Sequence, residues 1–418
     1  MFLVKISNAS GKQNHLSGSI KNLAGTVVYS FCQWLMMIIV VRLEGYTVSG
    51  EYTLTISFTN LFGFFSQFSI RNLQLSDVKC GFSPQQYTGA YIVINIAATI
   101  FFLGILPFCG YSTNIILYCL IYMLYRLGET LTIYTFTYMQ LEGNFSGIFI
   151  SYCLIGILPL LVFSAFLYFN FGLLLSLCVM PLLHILIIIL YDFKKIGRNY
   201  FHSVMLKGTS RILKQCFPVM LSTLTLPFML FLTRHTVEKI YGTTELGYYS
   251  VFSMVIVIFS TMASSIYVVL LPAISEKYMK HQLGYVIRVI LYITGAILAA
   301  MLITILLAKW IGEWAFSFVF GIDIIPYMYL LLPVIITGTM LTIVTFLSTI
   351  LIAMHKRIPM LIGMLAGAVM LSASVVPATQ SGGILGTTNI FTLALGMTVV
   401  ILSFFIFHNL QSIKHPRD

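Results

Sequence analysis

The chain has 418 residues, of which 59% are hydrophobic and only 8% are charged. A soluble fold needs a charged exterior, and 23 Lys and Arg with 12 Asp and Glu cannot supply one for a chain of this length. The composition therefore excludes a soluble protein and indicates a multi-pass membrane protein. The first residues lack an apolar segment followed by a small-residue cleavage site, so we expect no cleaved signal peptide.

Twelve apolar segments are long enough to cross the hydrocarbon core of a membrane, which takes about 20 residues of helix. They lie near residues 20–42, 50–72, 86–109, 114–139, 146–169, 172–191, 212–234, 246–271, 284–308, 325–353, 358–378 and 384–408. A hydrophilic link at 192–215 carries six Lys and Arg and separates six segments from six. We predict an all-α integral membrane protein with two six-helix bundles, residues 1–200 and 201–418, around a central lumen.

The basic residues predict the orientation of these helices. With the N-terminus in the cytoplasm, 18 Lys and Arg lie on the cytoplasmic side, four lie outside and one, Arg126, lies within a span. This bias follows the positive-inside rule and predicts that both termini are cytoplasmic. The net charge of +11 is then explained by contact with the inner leaflet, and we expect no nucleic-acid partner.

A short motif occurs twice, as GYTVSGEY at 45–52 and as GTTELGYY at 242–249, at an offset of 242 − 45 = 197 residues. Each copy lies at the predicted outer turn between the first two spans of its half. A glycine can end a helix in a left-handed conformation, and a second glycine allows two helices to approach closely. The motif predicts a parallel repeat with tight outer hairpins, each ending in an interfacial tyrosine.

Four stretches of the chain carry a resemblance to a known family: RLEGYTVSGEYTLTIS, RNLQLSD, YVVLLPAISEKY and FGIDIIPY. Together with the length and the number of spans, they resemble the bacterial O-antigen (Wzx-type) lipid-linked oligosaccharide flippases. These flippases belong to the multidrug/oligosaccharidyl-lipid/polysaccharide exporter superfamily. The resemblance covers nearly the whole chain.

The resemblance implies a function in lipopolysaccharide biosynthesis. The expected cargo is an O-antigen oligosaccharide on undecaprenyl pyrophosphate, moved by alternating access from the cytoplasmic to the periplasmic leaflet of the bacterial inner membrane. Membrane lipids and other membrane proteins of polysaccharide assembly are the expected partners. We expect no enzymatic chemistry, no metal and no cofactor; the resemblance implies coupling to a proton or sodium gradient.

Polar residues follow helical spacing within two of the predicted spans. The second span places one set on a single face: Thr53, Ser57, Asn60, Gln67, Arg71 and Gln74. The first span places another set on one face: Asn22, Thr26, Tyr29 and Gln33, with Lys21 beside it. Such faces either line a water-filled cavity or form hydrogen bonds between helices, because unpaired polar groups are costly in hydrocarbon.

Charged residues inside the apolar segments need compensation. Arg126 lies near the middle of the fourth span, at an insertion cost of about 2.5 to 3.5 kcal/mol, and Glu129 lies one helical turn away. The two either form a simple ion pair or contribute to the lumen. Arg234 lies near an outer span end, where snorkelling to the interface explains it, and His184 is interpreted as a neutral, hydrogen-bonded core residue.

An anionic glycolipid head group needs cations for its phosphates and amide, hydroxyl or aromatic groups for its sugars. The predicted substrate-binding residues of the lumen are Lys21, Asn22, Gln33, Asn60, Gln67, Arg71, Tyr122, Tyr125 and Arg126. The tyrosines are either packing residues or a platform for sugars. Glu129 is the membrane carboxylate that would couple transport to an ion gradient.

Three other classes of function stay open at this stage. An exporter of another polysaccharide, or a drug/cation antiporter of the same superfamily, would have the same fold; an antiporter would need acidic groups in its lumen. A membrane-embedded O-antigen polymerase or glycosyltransferase would need a catalytic outer loop, and the predicted outer loops are short. A purely structural or receptor role leaves the buried polar faces without a purpose.

Overall fold

A computed structural model describes the backbone of residues 9–76, 81–196, 204–354 and 356–414. Within these ranges the regular structure is entirely helical. The helices are α1 (Ala9–Gln67), α2 (Ile70–Ser76), α3 (Pro84–Ile105), α4 (Thr113–Leu141), α5 (Phe145–Tyr168), α6 (Gly172–Ile187), α7 (Phe193–Lys195), α8 (Thr209–Met279), α9 (Leu283–Phe320), α10 (Leu331–Ala353) and α11 (Arg357–Lys414). A tighter turn follows α3 at Leu106–Cys109, a wider turn follows α6 at Ile188–Asp192, and a nine-residue 3₁₀ segment follows α9 at Ile322–Leu330.

Nine helical stretches in the described part of the chain are long and apolar enough to cross a membrane. Three of them run through a glycine with non-helical backbone angles, Gly45 in α1, Gly242 in α8 and Gly383 in α11. The helices α1, α8 and α11 therefore each contain two predicted spans, and in α8 the second of these, 246–271, continues beyond the apolar stretch Thr209–Met254. The all-α membrane architecture expected from the apolar segments is confirmed.

The two motif copies turn the chain in the same way. Gly45 has φ 84° and ψ −179°, and Gly242 has φ 86° and ψ 177°. This region of backbone space is open essentially only to glycine. The same turn thus occurs at positions 197 residues apart, which is the offset that the repeat predicts.

A side chain at the second turn is expected to destabilise the protein. The substitution Gly242→Ala would place a Cβ in a region that costs roughly 1 to 3 kcal/mol for other residues. We expect a lower thermal unfolding temperature for the detergent-purified variant. Gly295→Ala, at a helical site with no atom within 4 Å of the added carbon, is the control, and an equal effect of both substitutions would contradict the prediction.

The second glycine of each copy packs against the first residues of the other copy. A Cβ on Gly50 would lie 1.8 Å from the carbonyl oxygen of Thr243, and one on Gly247 would lie 1.9 Å from that of Tyr46. These contacts are equivalent under the 197-residue offset. The hydroxyls of the equivalent residues Thr47 and Thr244 share a hydrogen bond of 2.8 Å. The close approach inferred from the glycine is therefore found between the two hairpins.

Arg42, just before the first motif copy, and Tyr46, within it, donate hydrogen bonds to carbonyl groups at the end of α9. Arg42 donates from Nε to the carbonyl of Val319 at 2.6 Å and from Nη2 to that of Phe318. The hydroxyl of Tyr46 donates to the carbonyl of Phe320 at 3.1 Å. The last carbonyls of a helix lack intrahelical partners and favour a nearby cation, so these side chains stabilise the α9 terminus.

Two features of these spans differ from the sequence prediction. The tyrosines that close the motif copies, Tyr52 and Tyr249, are buried rather than interfacial. The polar face of the second span is also not one continuous helix face. Left-handed residues at Phe68 and Ser69, with φ of 47° and 53°, separate α1 from α2. Arg71 and Gln74 therefore lie on a separate short helix.

The described chain contains two compact units. The first comprises 1–39 and 62–217, and the second comprises 40–61 and 218–418. Residues of α1 contribute to both. The division into bundles at residue 200 stays a prediction.

Candidate functional site

An ion pair lies at the middle of α4 in the first unit. Arg126 Nη1 donates to Glu129 Oε2, one helical turn away, and the two side chains are only 17% and 13% exposed. Glu129, which the sequence spacing suggested as the partner of Arg126, is therefore its partner in the structure. Pairing offsets the cost of placing an arginine among apolar helices.

Residues of α1 complete the surroundings of this pair. The hydroxyl of Tyr29 donates to Glu129 Oε1 and shares a hydrogen bond of 3.1 Å with the hydroxyl of Tyr125. Gln33 Nε2 donates to the same Tyr125 hydroxyl at 2.9 Å. Tyr29 and Gln33 are one helical turn apart, so one face of α1 meets the α4 residues. The carboxylate of Glu129 is held by two donors.

Aromatic rings cover the pair on the α4 side. The guanidinium of Arg126 lies 5.2 Å from the ring centre of Tyr122, a distance at which a cation is attracted to the ring face. The rings of Tyr122 and Tyr125 are 5.1 Å apart. We refer to Tyr29, Gln33, Tyr122, Tyr125, Arg126 and Glu129 as the Arg126 cluster. It brings together five of the residues proposed from the sequence and adds Tyr29.

His184 of α6 lies against the Arg126 cluster. Its ring meets that of Tyr125 edge to face at 5.1 Å, and its Nε2 shares a 2.9 Å hydrogen bond with Thr132 Oγ1. The side chain is fully buried, whereas Nδ1 has no hydrogen-bond partner. The interpretation as a core histidine with a hydrogen bond agrees with this geometry.

The other predicted cations lie apart from the Arg126 cluster. Lys21 is exposed and donates from Nζ to Ser146 Oγ at 2.9 Å. Arg71 is half-buried and donates from Nη2 to Gln140 Oε1 at 2.8 Å. The acceptor of Lys21 thus lies at the start of α5 and that of Arg71 at the end of α4, and both acceptors are neutral.

The remaining amides are dispersed. Asn22 lies in the first turns of the first span, and its buried Oδ1 has no hydrogen-bond partner. Gln67 ends α1 and is half-buried. Asn60 is half-buried and belongs to the second unit. These amides are thus dispersed, and their assignment to one lumen stays a prediction.

Arg234 was not among the predicted site residues. It is only 8% exposed and its guanidinium is hydrogen-bonded to serines of α1 and α8, so the snorkelling predicted for it is wrong. Ser57 belongs to the polar face predicted for the second span, and Ser253 lies in the eighth span. The polar face of the second span could have indicated a partner for Arg234. The sequence does not show, however, which helices pack together.

Asp192 is another buried charge that was missed, because its position next to a basic link indicated a solvent-exposed segment. It ends the wide turn Ile188–Asp192 and is fully buried. The buried hydroxyl of Ser151 on α5 is the hydrogen-bonding side chain that faces its carboxylate. Wide turns of this type are frequent at functional sites.

Solved structures share this arrangement of helices over nearly their whole length. A point mutant of the MATE transporter VcmN of Vibrio cholerae is 13% identical, with 97% of each chain covered and a TM-score of 0.65. The lipid II flippase MurJ, in an inward closed conformation, is 13% identical over 95% of this chain and 90% of that chain, with a TM-score of 0.69. The chain has the fold of these transporters.

An inward-facing multidrug resistance MATE family transporter of the MOP superfamily has the same fold, with a TM-score of 0.68, 12% identity and 95% of each chain covered. Neither a protein-family model nor a curated protein matches the sequence. The comparisons thus establish a multi-pass membrane protein with the twelve-span, two-bundle fold of MATE transporters and MurJ.

Proposed function

We propose that this chain is a flippase that moves undecaprenyl-pyrophosphate-linked O-antigen oligosaccharide from the cytoplasmic to the periplasmic leaflet of the bacterial inner membrane. The fold shared with the flippase MurJ supports translocation of a lipid-linked cargo. The four sequence stretches that resemble Wzx-type flippases support the O-antigen cargo. The charge pattern supports cytoplasmic termini.

The partners of the predicted cations carry this proposal. Lys21 and Arg71 donate to a serine hydroxyl and an amide oxygen, and neither forms an ion pair with a described carboxylate. No carboxylate among the described residues therefore cancels either charge. Cations of this kind favour an anionic head group with phosphates as the cargo, because a cation strengthens hydrogen bonds to phosphate oxygens.

The Arg126 cluster supplies the groups that recognise sugars. Two tyrosine hydroxyls and the Gln33 amide form one hydrogen-bonded network, and the ring of Tyr122 lies beside it. Hydroxyl and amide groups pair with sugar hydroxyls, and aromatic rings pack on sugar faces. We propose alternating access by motion of bundles 1–200 and 201–418, with no covalent step and no bound cofactor.

Glu129 is the proposed coupling group. Protonation of its carboxylate would cancel its attraction for Arg126 and release the guanidinium for an anionic cargo. The variant Glu129→Gln keeps the shape and removes the titrating group, so we expect vesicle transport that no longer responds to an imposed proton gradient. Transport by Glu129→Gln that is still stimulated by the gradient would remove Glu129 from this role.

Deleting the gene tests the proposed function directly. We expect lipid-linked oligosaccharide to accumulate in the inner leaflet while surface polysaccharide disappears, and the intact gene to reverse both effects. Accumulation of free precursor without its lipid-linked form would instead indicate a polymerase or glycosyltransferase.

A drug/cation antiporter is the second candidate, favoured by the likeness to MATE transporters and by the carboxylate of Glu129 in the first unit. It predicts that the deletion strain becomes sensitive to cationic drugs while its surface polysaccharide is unchanged. An exporter of another polysaccharide would leave O-antigen intact and remove that other polymer.

A further inference from the structure

Arg234 of α8 is held by two serines in the second unit. Its Nη1 donates to Ser57 Oγ at 2.8 Å and its Nη2 donates to Ser253 Oγ at 3.0 Å. The arginine is 8% exposed, Ser57 is 3% exposed and Ser253 is 1% exposed. The cation is therefore enclosed by protein and does not reach the membrane interface.

The charge of Arg234 has no counterion among the described residues, since no ion pair joins it to a carboxylate there. Hydroxyl oxygens orient a guanidinium without neutralising it, and an uncompensated buried charge is strongly unfavourable. An anion at this position would remove that penalty.

The serines leave part of the guanidinium for a ligand. Ser57 donates its own proton to the carbonyl of Thr53 at 2.7 Å, and Ser253 donates to that of Ser250 at 3.0 Å. Both oxygens are thus fixed as acceptors for Arg234. A guanidinium has five N–H donors, and the serines engage two. The buried Nε has no partner, and Nε with a neighbouring Nη forms the two-pronged edge that binds phosphate.

Arg234 precedes the turn at Gly242 by 242 − 234 = 8 residues, and Ser57 follows the turn at Gly45 by 57 − 45 = 12. At 1.5 Å per helical residue, these positions lie about 12 and 18 Å along their helices from the turns. The charge pattern assigns both turns to the outer side. Arg234 therefore belongs to the outer half of its span.

We propose that Arg234, positioned by Ser57 and Ser253, is a phosphate-binding site for the pyrophosphate of the cargo. This inference rests on the proposed function for the identity of the cargo. The site lies in the second unit, whereas the Arg126 cluster lies in the first. Arg234 would bind the pyrophosphate at the outer half of its own span.

Binding of a charged and a neutral lipid to the full-length chain in nanodiscs tests this site. The probes are undecaprenyl pyrophosphate and undecaprenol, which share the tail and differ in the pyrophosphate. For Arg234→Gln we expect the affinity for undecaprenyl pyrophosphate to fall about tenfold or more, with binding of undecaprenol unchanged. Arg234→Lys should retain part of the affinity because it keeps the charge and loses the two-pronged edge.

Two further variants make the result specific. Ser57→Ala with Ser253→Ala should weaken pyrophosphate binding less than Arg234→Gln, since the charge remains while its orientation is lost. Lys309→Gln removes an exposed cation and should change nothing. Monodisperse elution of each variant confirms its fold.

The outcomes separate this inference from the proposed function. If the wild-type chain binds and translocates the charged lipid and Arg234→Gln binds it equally well, Arg234 is not a phosphate site although the flippase stands. If the wild type ignores the charged lipid but binds inorganic pyrophosphate through Arg234, the anion site stands and the cargo is wrong. If wild type and Arg234→Gln bind inorganic pyrophosphate equally, the site is overturned.

Discussion

Replacing Arg126 by alanine is expected to abolish export of the proposed lipid-linked oligosaccharide while the protein stays in the membrane. The substitution removes the guanidinium that pairs with Glu129 and lies 5.2 Å from the Tyr122 ring. Glu129 keeps its hydrogen bond from Tyr29 but loses its cation. Loss of one partner of a buried pair typically costs about 3 to 5 kcal/mol, so the cluster should rearrange. Surface polysaccharide in a complemented deletion strain is the readout.

A double substitution distinguishes two roles of Arg126: binding the substrate and neutralising the carboxylate of Glu129. The double variant Arg126→Gln, Glu129→Gln has no unpaired charge and should recover the thermal stability that Arg126→Ala loses. If Arg126 serves only to neutralise Glu129, the double variant will export normally. We expect it to remain inactive, because the amide cannot supply the positive charge that an anionic cargo requires. Normal export by Arg126→Ala itself would remove Arg126 from the site.

Adding one methyl group at Gly50 is expected to open the contact between the two outer hairpins. The new Cβ would lie 1.8 Å from the Thr243 carbonyl oxygen, and backbone on both sides leaves no flexible side chain to move. Overpacking of this kind costs roughly 1 to 3 kcal/mol. We expect a lower unfolding temperature for Gly50→Ala and for its equivalent, Gly247→Ala.

Thiol labelling measures directly whether the contact between the two outer hairpins has opened. Ser250 is 1% exposed, so a Ser250→Cys variant should resist a membrane-impermeant maleimide. Combined with Gly50→Ala, the same cysteine should become reactive. Gly396→Ala, which adds a carbon with no atom within 4 Å, is the matched control. Equal labelling with Gly50→Ala and Gly396→Ala would show that the close approach does not keep the hairpins closed.

The sequence predicted the features that depend on local chemistry. Apolar segment lengths predicted the spans, because the hydrocarbon core sets the length of a crossing helix. The glycines at 45 and 242 predicted the turns, since only glycine tolerates that backbone. The ion pair between Arg126 and Glu129 followed from their spacing on a single helix.

Features that depend on the packing of distant segments were not predicted. Ser57 and Arg234 are 177 residues apart, and nothing local indicates that they meet. The position of Arg234 near the end of its span predicted snorkelling, because a span considered by itself offers a cation no other way to reach water. The break at Phe68 and Ser69 was missed for a related reason: two ordinary residues adopt left-handed angles that their own chemistry does not favour.

The reciprocal contact of the hairpins has a consequence for the origin of this chain. Gly50 meets Thr243 and Gly247 meets Tyr46, and Thr47 bonds to its own counterpart, Thr244. A residue that bonds to its counterpart lies on a two-fold axis, which is the signature of two identical subunits in contact. Before the duplication, an ancestral half-length chain would thus have assembled as a homodimer, with one threonine bonded to the same threonine of a second copy.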